Sequence, residues 1–270
     1  IRMASKVKQA LDKNQVKCYG QLVVPLEANR PGATHCEVLT TIETDNGERL
    51  TPDRYLPALE KFGLSTEYDH HVVATTLKAM SRSTTSQEMG WGWVSINLSA
   101  QTVCNPPSLD VIKDLFQRYS VPPTSVCFEI TETAHLQNMS SALTFMSSLH
   151  EMGCMLALDD FGSGHSSFEH LLNLPFDIVK IDGQFITNLC NSASHQSIVK
   201  SICDLASQLD ILTVAEMVED APTTELIRKL GVKYGQGFYL AGRQPLEDLL
   251  DTPTELLQLN PKVLNLFGDK

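Results

Sequence analysis

No stretch of the sequence holds the ~18 consecutive apolar residues of a membrane-crossing helix, and no signal-peptide pattern is read at its start. Basic patches are missing too. Lys and Arg number 21 against 32 Asp and Glu, a net charge of −11, so a nucleic-acid polymer is not the expected partner. A small phosphate ligand stays open, provided metal ions reverse the local sign. Paired cysteines are absent: there are seven, an odd number, with no CxxC and no Cys/His zinc spacing. They read as reduced, buried thiols of an intracellular protein. The eight histidines show no HExxH spacing, and His70–His71 read as structural or surface residues. No GxSxG elbow exists, which leaves Ser166 and Ser167 to helix capping. No GxGxxG loop follows the first strand, which argues against a dinucleotide-binding open sheet.

The composition that remains, 42% hydrophobic and 20% charged, is that of a soluble globular protein. Short strand-like segments recur at Lys17–Leu26, Cys36–Glu43, Trp91–Leu98, Val126–Thr131, Met155–Asp159, Asp177–Ile181, Leu212–Val218 and Tyr234–Leu240. Most are apolar runs, as strands covered on both faces should be. Helical patterns separate them. Residues 2–13 are amphipathic, and Pro52–Phe62 stops at Gly63. Ser65 caps a helix facing inward through Val72, Val73, Leu77 and Met80. Ser108 caps one facing inward through Val111, Ile112, Leu115, Phe116 and Tyr119. Leu143, Met146, Leu149 and Met152 repeat up to Gly153, and Ile198, Val199, Ile202, Leu205 and Leu209 do the same later. Thr224–Leu230 stops at Gly231, and loops are read at 28–34 and 81–90. This alternation predicts an α/β protein, a (β/α)8 TIM-like barrel. The link from Ala28 to His35 is too short for a helical crossover, so the first two strands should form an antiparallel hairpin.

The strand ends carry chemistry. Leu156–Asp160 ends in two adjacent carboxylates, Asp159 and Asp160, which repel unless a cation or proton lies between them. The next strand ends in Lys180 and Asp182. The others offer Glu37, Asn97, Glu129 with Glu132, Glu216 with Glu219, and Gln236. In a barrel these converge on one mouth. Several carboxylates and one amide form a hard-oxygen set suited to magnesium or manganese rather than zinc. Two such ions would suit phosphoester hydrolysis. Singly, each residue has a plainer reading. Asp182 is a helix cap, Glu219 and Asp220 are acids at a helix start, Glu132 caps a turn, Asn97 is a turn residue and Lys180 a surface lysine. Seven strands carrying such groups at one end is a coincidence those readings do not explain.

On these residues the sequence resembles the EAL-domain family, bacterial phosphodiesterases of cyclic di-GMP, over about Lys17 to Leu250. The signature looks like Glu37-Val38-Leu39, followed by Asn97-Leu98-Ser99, Glu129 to Glu132, Asp159 to Gly164, Lys180 to Asp182, Glu216 to Glu219, and Gln236-Gly237. The resemblance implies hydrolysis of cyclic di-GMP to pGpG with two Mg2+ or Mn2+ ions held by Glu37, Asn97, Glu129, Asp159, Asp160 and Glu216. Lys180 would position or activate the water, with Gln236 nearby. Glu132 would hold the loop after the strand that ends in Asp159, and Glu219 would support the ligand shell. It further implies a homodimer. The opening residues 1–14 resemble a linker helix from a preceding GGDEF or sensory domain, with the barrel over 15–250 and a tail over 251–270. A start at Ile1 agrees with a cytoplasmic domain cut from a longer parent, itself open to membrane anchoring.

Thr41 stands where members carry an arginine, and Asp182 and Arg243 join it as candidate substrate contacts. The first-strand Q-P-I reads Val24-Pro25-Leu26, so the resemblance implies that a substrate-contacting glutamine is lost there; the glycine of AEGVE is Met217, and the arginine after KID is Gly183. Loss of a bidentate arginine clamp costs about 1.5–3 kcal/mol, or roughly 10- to 100-fold in affinity. The alternative expectation is therefore a weak or inactive domain acting as a cyclic di-GMP receptor or interaction module.

Overall fold

Strand β1 (Val16–Pro25) pairs antiparallel with β2 (Thr34–Glu43), from Val16↔Ile42 to Val23↔His35. The short connection permits nothing else. The computed structural model describes residues 2–26, 34–83, 91–131, 139–162 and 168–252. A two-residue strand, β3 (Arg49–Leu50), lies on the outer edge of β2. Strands β4 (Trp91–Leu98), β5 (Val126–Thr131), β6 (Met155–Phe161), β7 (Ile178–Ile181), β8 (Leu212–Ala215) and β9 (Tyr234–Gly235) follow β2, each parallel to the one before. β9 returns to β1 at Val24↔Gly235 and closes an eight-strand barrel, and β10 (Gln244–Pro245) adds a short pairing to β1. Every strand read from the sequence is present. The last two are shorter than expected. Met217 holds a left-handed φ of 53° and turns the chain after Glu216. Past Gln236 the backbone folds back through Tyr239 N–H to Val218 O and Leu240 N–H to Gly237 O.

Helices fill the crossovers at Pro52–Phe62, Ser65–Arg82, Pro107–Tyr119, Met139–Glu151, Ala193–Gln208 and Ala221–Leu230. Gly63 and Gly231 end theirs with φ of 67° and 101°, as expected. Two expected caps are not caps. Ser65 lies buried inside its helix, after Leu64. Ser108 lies inside a helix begun one residue earlier by Pro107, whose fixed φ suits a first turn, and Asn105 Nδ2 donates to its Oγ at 3.0 Å. Val111, Leu143 and Ile198, read as inward, are 38–39% exposed and edge their apolar stripes. Most of each loop, that read at 28–34 and that at 81–90, lies outside the described residues, and Thr34 already belongs to β2. The helix Ser65–Arg82 runs into the start of the second.

The opening helix, Arg2–Asp12, buries Ala4, Val7, Ala10 and Leu11, and Lys6 reaches Glu48 at 2.6 Å. Among the described residues no helix is long and apolar enough to cross a membrane. The barrel itself is filled by a plug of Val23, Trp93, Cys127, Ala157, Ile178, Val214 and Tyr234. His35 stacks on Trp93 with ring centroids 3.3 Å apart and accepts from the Trp93 N–H at 3.1 Å. Burial lowers this histidine's pKa to about 3, so it is a neutral member of the plug.

Candidate active site

Side chains on one face of a strand recur every second residue. Two residues beyond the plug, each strand therefore places one more side chain in the lumen. Cys127 leads to Glu129, Ala157 to Asp159, Ile178 to Lys180, Val214 to Glu216, Tyr234 to Gln236 and His35 to Glu37. On β4 the same face runs from Trp93 through Ser95 to Asn97. On β1, which points the other way, it runs from Val23 to Gln21. A polar layer thus caps an apolar plug because the sequence changes character at one height in every strand.

Lys180 is the hub. Its Nζ lies 2.6 Å from Glu129 Oε2, 2.8 Å from Glu216 Oε1, 3.0 Å from Asp159 Oδ1 and 3.3 Å from Glu37 Oε2, and the residue is 2% exposed. Burial alone would favour loss of its proton. The carboxylates, Asp159 and Glu129 foremost, outweigh that and hold its pKa well above the ordinary lysine value. Glu37 is opposed by burial, but Lys180 and donors from Gln236 and Asn97 keep its carboxyl below the usual range. Glu129 goes the other way, raised by burial and by the charge of Glu37. The two acids share one cation, Lys180.

The adjacent pair Asp159 and Asp160 would face opposite sides of a regular strand. The register of β6 with β7 shifts between Leu158 and Phe161, and Asp160 takes a left-handed φ of 55°. This bulge re-aims Asp160 toward the mouth. As a result Asp159, Asp160 and Glu216 each offer an oxygen within 4.8 Å of the others. Burial, then Asp159, raise Asp160 to about 6, and burial raises Glu216 to about 8. Three carboxylates so close, in part forced toward neutrality, fit a divalent cation with a preference for oxygen.

The amides are ordered as well. Asn97 Nδ2 donates to Glu37 Oε1 at 2.8 Å, and among the described residues its carbonyl oxygen meets no donor. Gln236 Nε2 donates to Glu37 Oε2 at 2.7 Å and to Gln21 Oε1 at 3.3 Å, while Gln21 Nε2 donates to the Ala241 carbonyl at 3.1 Å.

An EAL domain profile matches residues 4–243. The chain belongs to the EAL domain family. It is 35% identical over 251 residues to the cyclic di-GMP phosphodiesterase PdeF of Escherichia coli K12, covering 93% of this chain and 33% of that protein. It is 36% identical over 245 residues to the cyclic di-GMP phosphodiesterase PdeB of Shewanella oneidensis, covering 91% and 28%. The chain thus spans about a third of the length of these relatives. Among solved structures, the PaMucR phosphodiesterase in complex with c-di-GMP superposes with a TM-score of 0.83 at 29% identity, over 92% of this chain and 100% of that one. The FimX EAL domain from Pseudomonas aeruginosa bound to c-di-GMP gives 0.83 at 24%, over 91% and 98%, a likeness of fold.

In this EAL domain the structure brings together Glu37, Asn97, Glu129, Asp159, Asp160, Lys180, Glu216 and Gln236. It leaves others aside. Glu132 lies outside the described residues. Glu219 is exposed and is not among the carboxylates that meet Lys180. Asp182 caps the short helix Gly183–Ile186, accepting from Gln184 N–H at 2.7 Å, and its charge helps raise Asp160. Thr41 is buried, and its Oγ1 has no hydrogen-bond partner among the described residues. Arg243 is exposed, its Cζ 5.4 Å from the centre of the Phe238 ring.

One expectation is corrected. The first strand does bring a glutamine to the site. Val24 faces the outer core, whereas Gln21 sits directly across from Glu37 on the lumen face. The reversed direction of β1 puts its N-terminal half, not its C-terminal end, at the mouth. The parity of Gln21 with the plug residue Val23 was the signal to find it. Asp69 was also missed. It is a carboxylate within the apolar stripe of the helix Ser65–Arg82, buried at 5% exposure.

Proposed function

We propose that this domain is a metal-dependent phosphodiesterase that opens cyclic di-GMP to linear pGpG. The convergence of Asp159, Asp160 and Glu216 beside a buried Lys180 carries the reading. Two Mg2+ or Mn2+ ions would be held by Glu37, Asn97, Glu129, Asp159, Asp160 and Glu216. Bound there, divalent ions supply Lewis acidity to the phosphoryl group and a nucleophilic water at neutral pH. Lys180, buried among its four carboxylate neighbours, positions or activates the attacking water. Gln236 and Gln21 hold Glu37 in register, Glu132 would hold the loop after the strand that carries Asp159, and Glu219 would support the ligand shell. Beside Asn97 opens a cavity of about 480 Å3, walled by Leu39, Leu56, Leu59 and Leu98, with room for a purine base. Asp182 and Arg243, the latter stacked on Phe238, flank the substrate where Thr41 offers no charge.

The parent is a longer cytoplasmic signalling protein, open to membrane anchoring, with residues 1–14 linking to a GGDEF or sensory domain, 15–250 forming the barrel and 251–270 a tail. Its relatives run to about three times this length, which supports that arrangement. The domain works as a homodimer, with Leu172, 62% exposed on the helix Phe168–Asn173, available for the contact.

The test is chromatographic. Cyclic di-GMP incubated with the domain and Mg2+ or Mn2+ should yield pGpG, and Glu37→Ala should abolish it. A second reading, a non-catalytic receptor, draws on Thr41. Binding without turnover by the wild type selects it.

A further inference from the structure

Asp69 lies one turn into the helix Ser65–Arg82, on the face packed against the barrel. Three donors converge on its Oδ2. They are the Ser99 N–H at 2.8 Å, the Ser99 hydroxyl at 2.6 Å and the Thr102 hydroxyl at 2.5 Å. Among the described residues no cation is paired with it; the groups that hold its charge are these hydrogen bonds alone. The proton count is closed. Each hydroxyl has one proton, and both are directed at Asp69. Ser99 Oγ is then free to accept from the Thr102 N–H at 3.3 Å, which caps the turn Ala100–Val103. A buried acid without a countercharge is costly, so its place calls for an explanation beyond packing.

The segment it grips is the exit of β4. Asn97, Leu98 and Ser99 are consecutive, and Asn97 is exposed at the mouth, its side chain bonded among the described residues to Glu37. Ladder bonds to β5 end at Leu98↔Ile130. Asp69 accepts from both the backbone and the side chain of the next residue, Ser99, two positions past Asn97. We infer that Asp69 is a positioning residue that fixes the end of β4 and thereby presents Asn97 to the metal centre. This rests on the metal-centre reading given above. It adds a residue from a crossover helix, outside the strand ends, to the apparatus of the site.

The test uses Mn2+ binding by calorimetry on the folded domain without substrate, and the Asn97 side-chain amide signal by NMR. Asp69→Ala should weaken Mn2+ about 10-fold and shift the Asn97 signal. Asp69→Asn keeps one carbonyl oxygen for the same three donors and should stay within about 3-fold of wild type. Thr102→Val, which removes one donor without changing shape, covers the case in which Asp69→Ala does not fold, and should weaken Mn2+ about 3-fold. Folded variants with wild-type Mn2+ affinity and an unmoved Asn97 signal overturn the inference, as does an Asp69→Asn as impaired as Asp69→Ala. A wild type that takes up no Mn2+, with Asn97 still displaced in Asp69→Ala, strikes the metal reading and leaves the positioning role standing.

Discussion

Met217 and Gly183 are two departures from the family pattern that make sense only together. A Cβ at residue 183 would come within 2.3 Å of Met217 Sδ, 2.5 Å of its Cγ and 2.9 Å of its Cβ. The thioether of one therefore fills the space that the other leaves. Gly183→Ala should destabilise the protein by about 1–3 kcal/mol through overpacking. In a Met217→Gly background the same change should cost less than about 0.5 kcal/mol, a coupling that urea denaturation of the four proteins will read. Equal costs in both backgrounds would mean the contact is incidental. Lys180 stands at the opposite extreme, a single residue on which four acids depend. Lys180→Met leaves those carboxylates buried without a cation, and should cost about 3–5 kcal/mol of stability in chelator-treated protein. Turnover should fall at least ~100-fold even when Mn2+ restores the fold, as a kinetic assay of the metal-loaded variant will show.

Elements, taken one at a time, differ in how plainly they announced themselves. The helix Ser65–Arg82 was legible from its apolar spacing, yet Asp69 within it was not, because helical periodicity marks a face and not the acceptor that a distant strand end needs. Its carboxyl gives the element a pH signature. Burial raises Asp69 to about 6, against about 3.9 in an unfolded chain. Between those values the folded state holds the proton that the unfolded state has lost, so stability falls as pH rises from ~4 to ~6. Asp69→Asn removes that slope. Relative to wild type the variant should gain up to about 2–3 kcal/mol between pH 4 and pH 7, measured by denaturant titration at each pH. A wild-type-like slope in Asp69→Asn would assign the effect to other acids. Strand β6 tells the converse. The pair Asp159-Asp160 was conspicuous in the sequence, but the bulge that turns both to one side was not, since nothing in LDDFG states which residue takes positive φ. Strand β1 was placed correctly and read from the wrong end. The mouth residue of an antiparallel strand lies at its start, so Gln21 was passed over for Val24.

At the scale of the molecule, the ring of acids is a choice of function over stability. The chain carries a net charge of −11, and five of its acids, Glu37, Glu129, Asp159, Asp160 and Glu216, gather at one layer around Lys180. The eight-strand closure and the apolar plug were foreseeable from short apolar runs and their spacing, because such runs must be covered on both faces. The cost of the layer above them was not, because it arises only when β5, β6, β7 and β8 stand side by side. Asp160 and Glu216 are both raised by burial and by Asp159, so the ionised cluster is strained until a cation enters it. Mn2+ should therefore stabilise the whole fold, by about 2.7 kcal/mol at a hundredfold excess over its dissociation constant, and EDTA should reverse it. Asp160→Asn separates the two effects. Asparagine tolerates the left-handed φ of 55° at this position and removes one repelling charge. The variant should melt higher than wild type in EDTA and gain far less on adding Mn2+, so that the order of the two proteins reverses when metal is present. Thermal scans of both proteins with and without Mn2+ decide it. Parallel shifts would mean that Asp160 neither strains the cluster nor holds the ion.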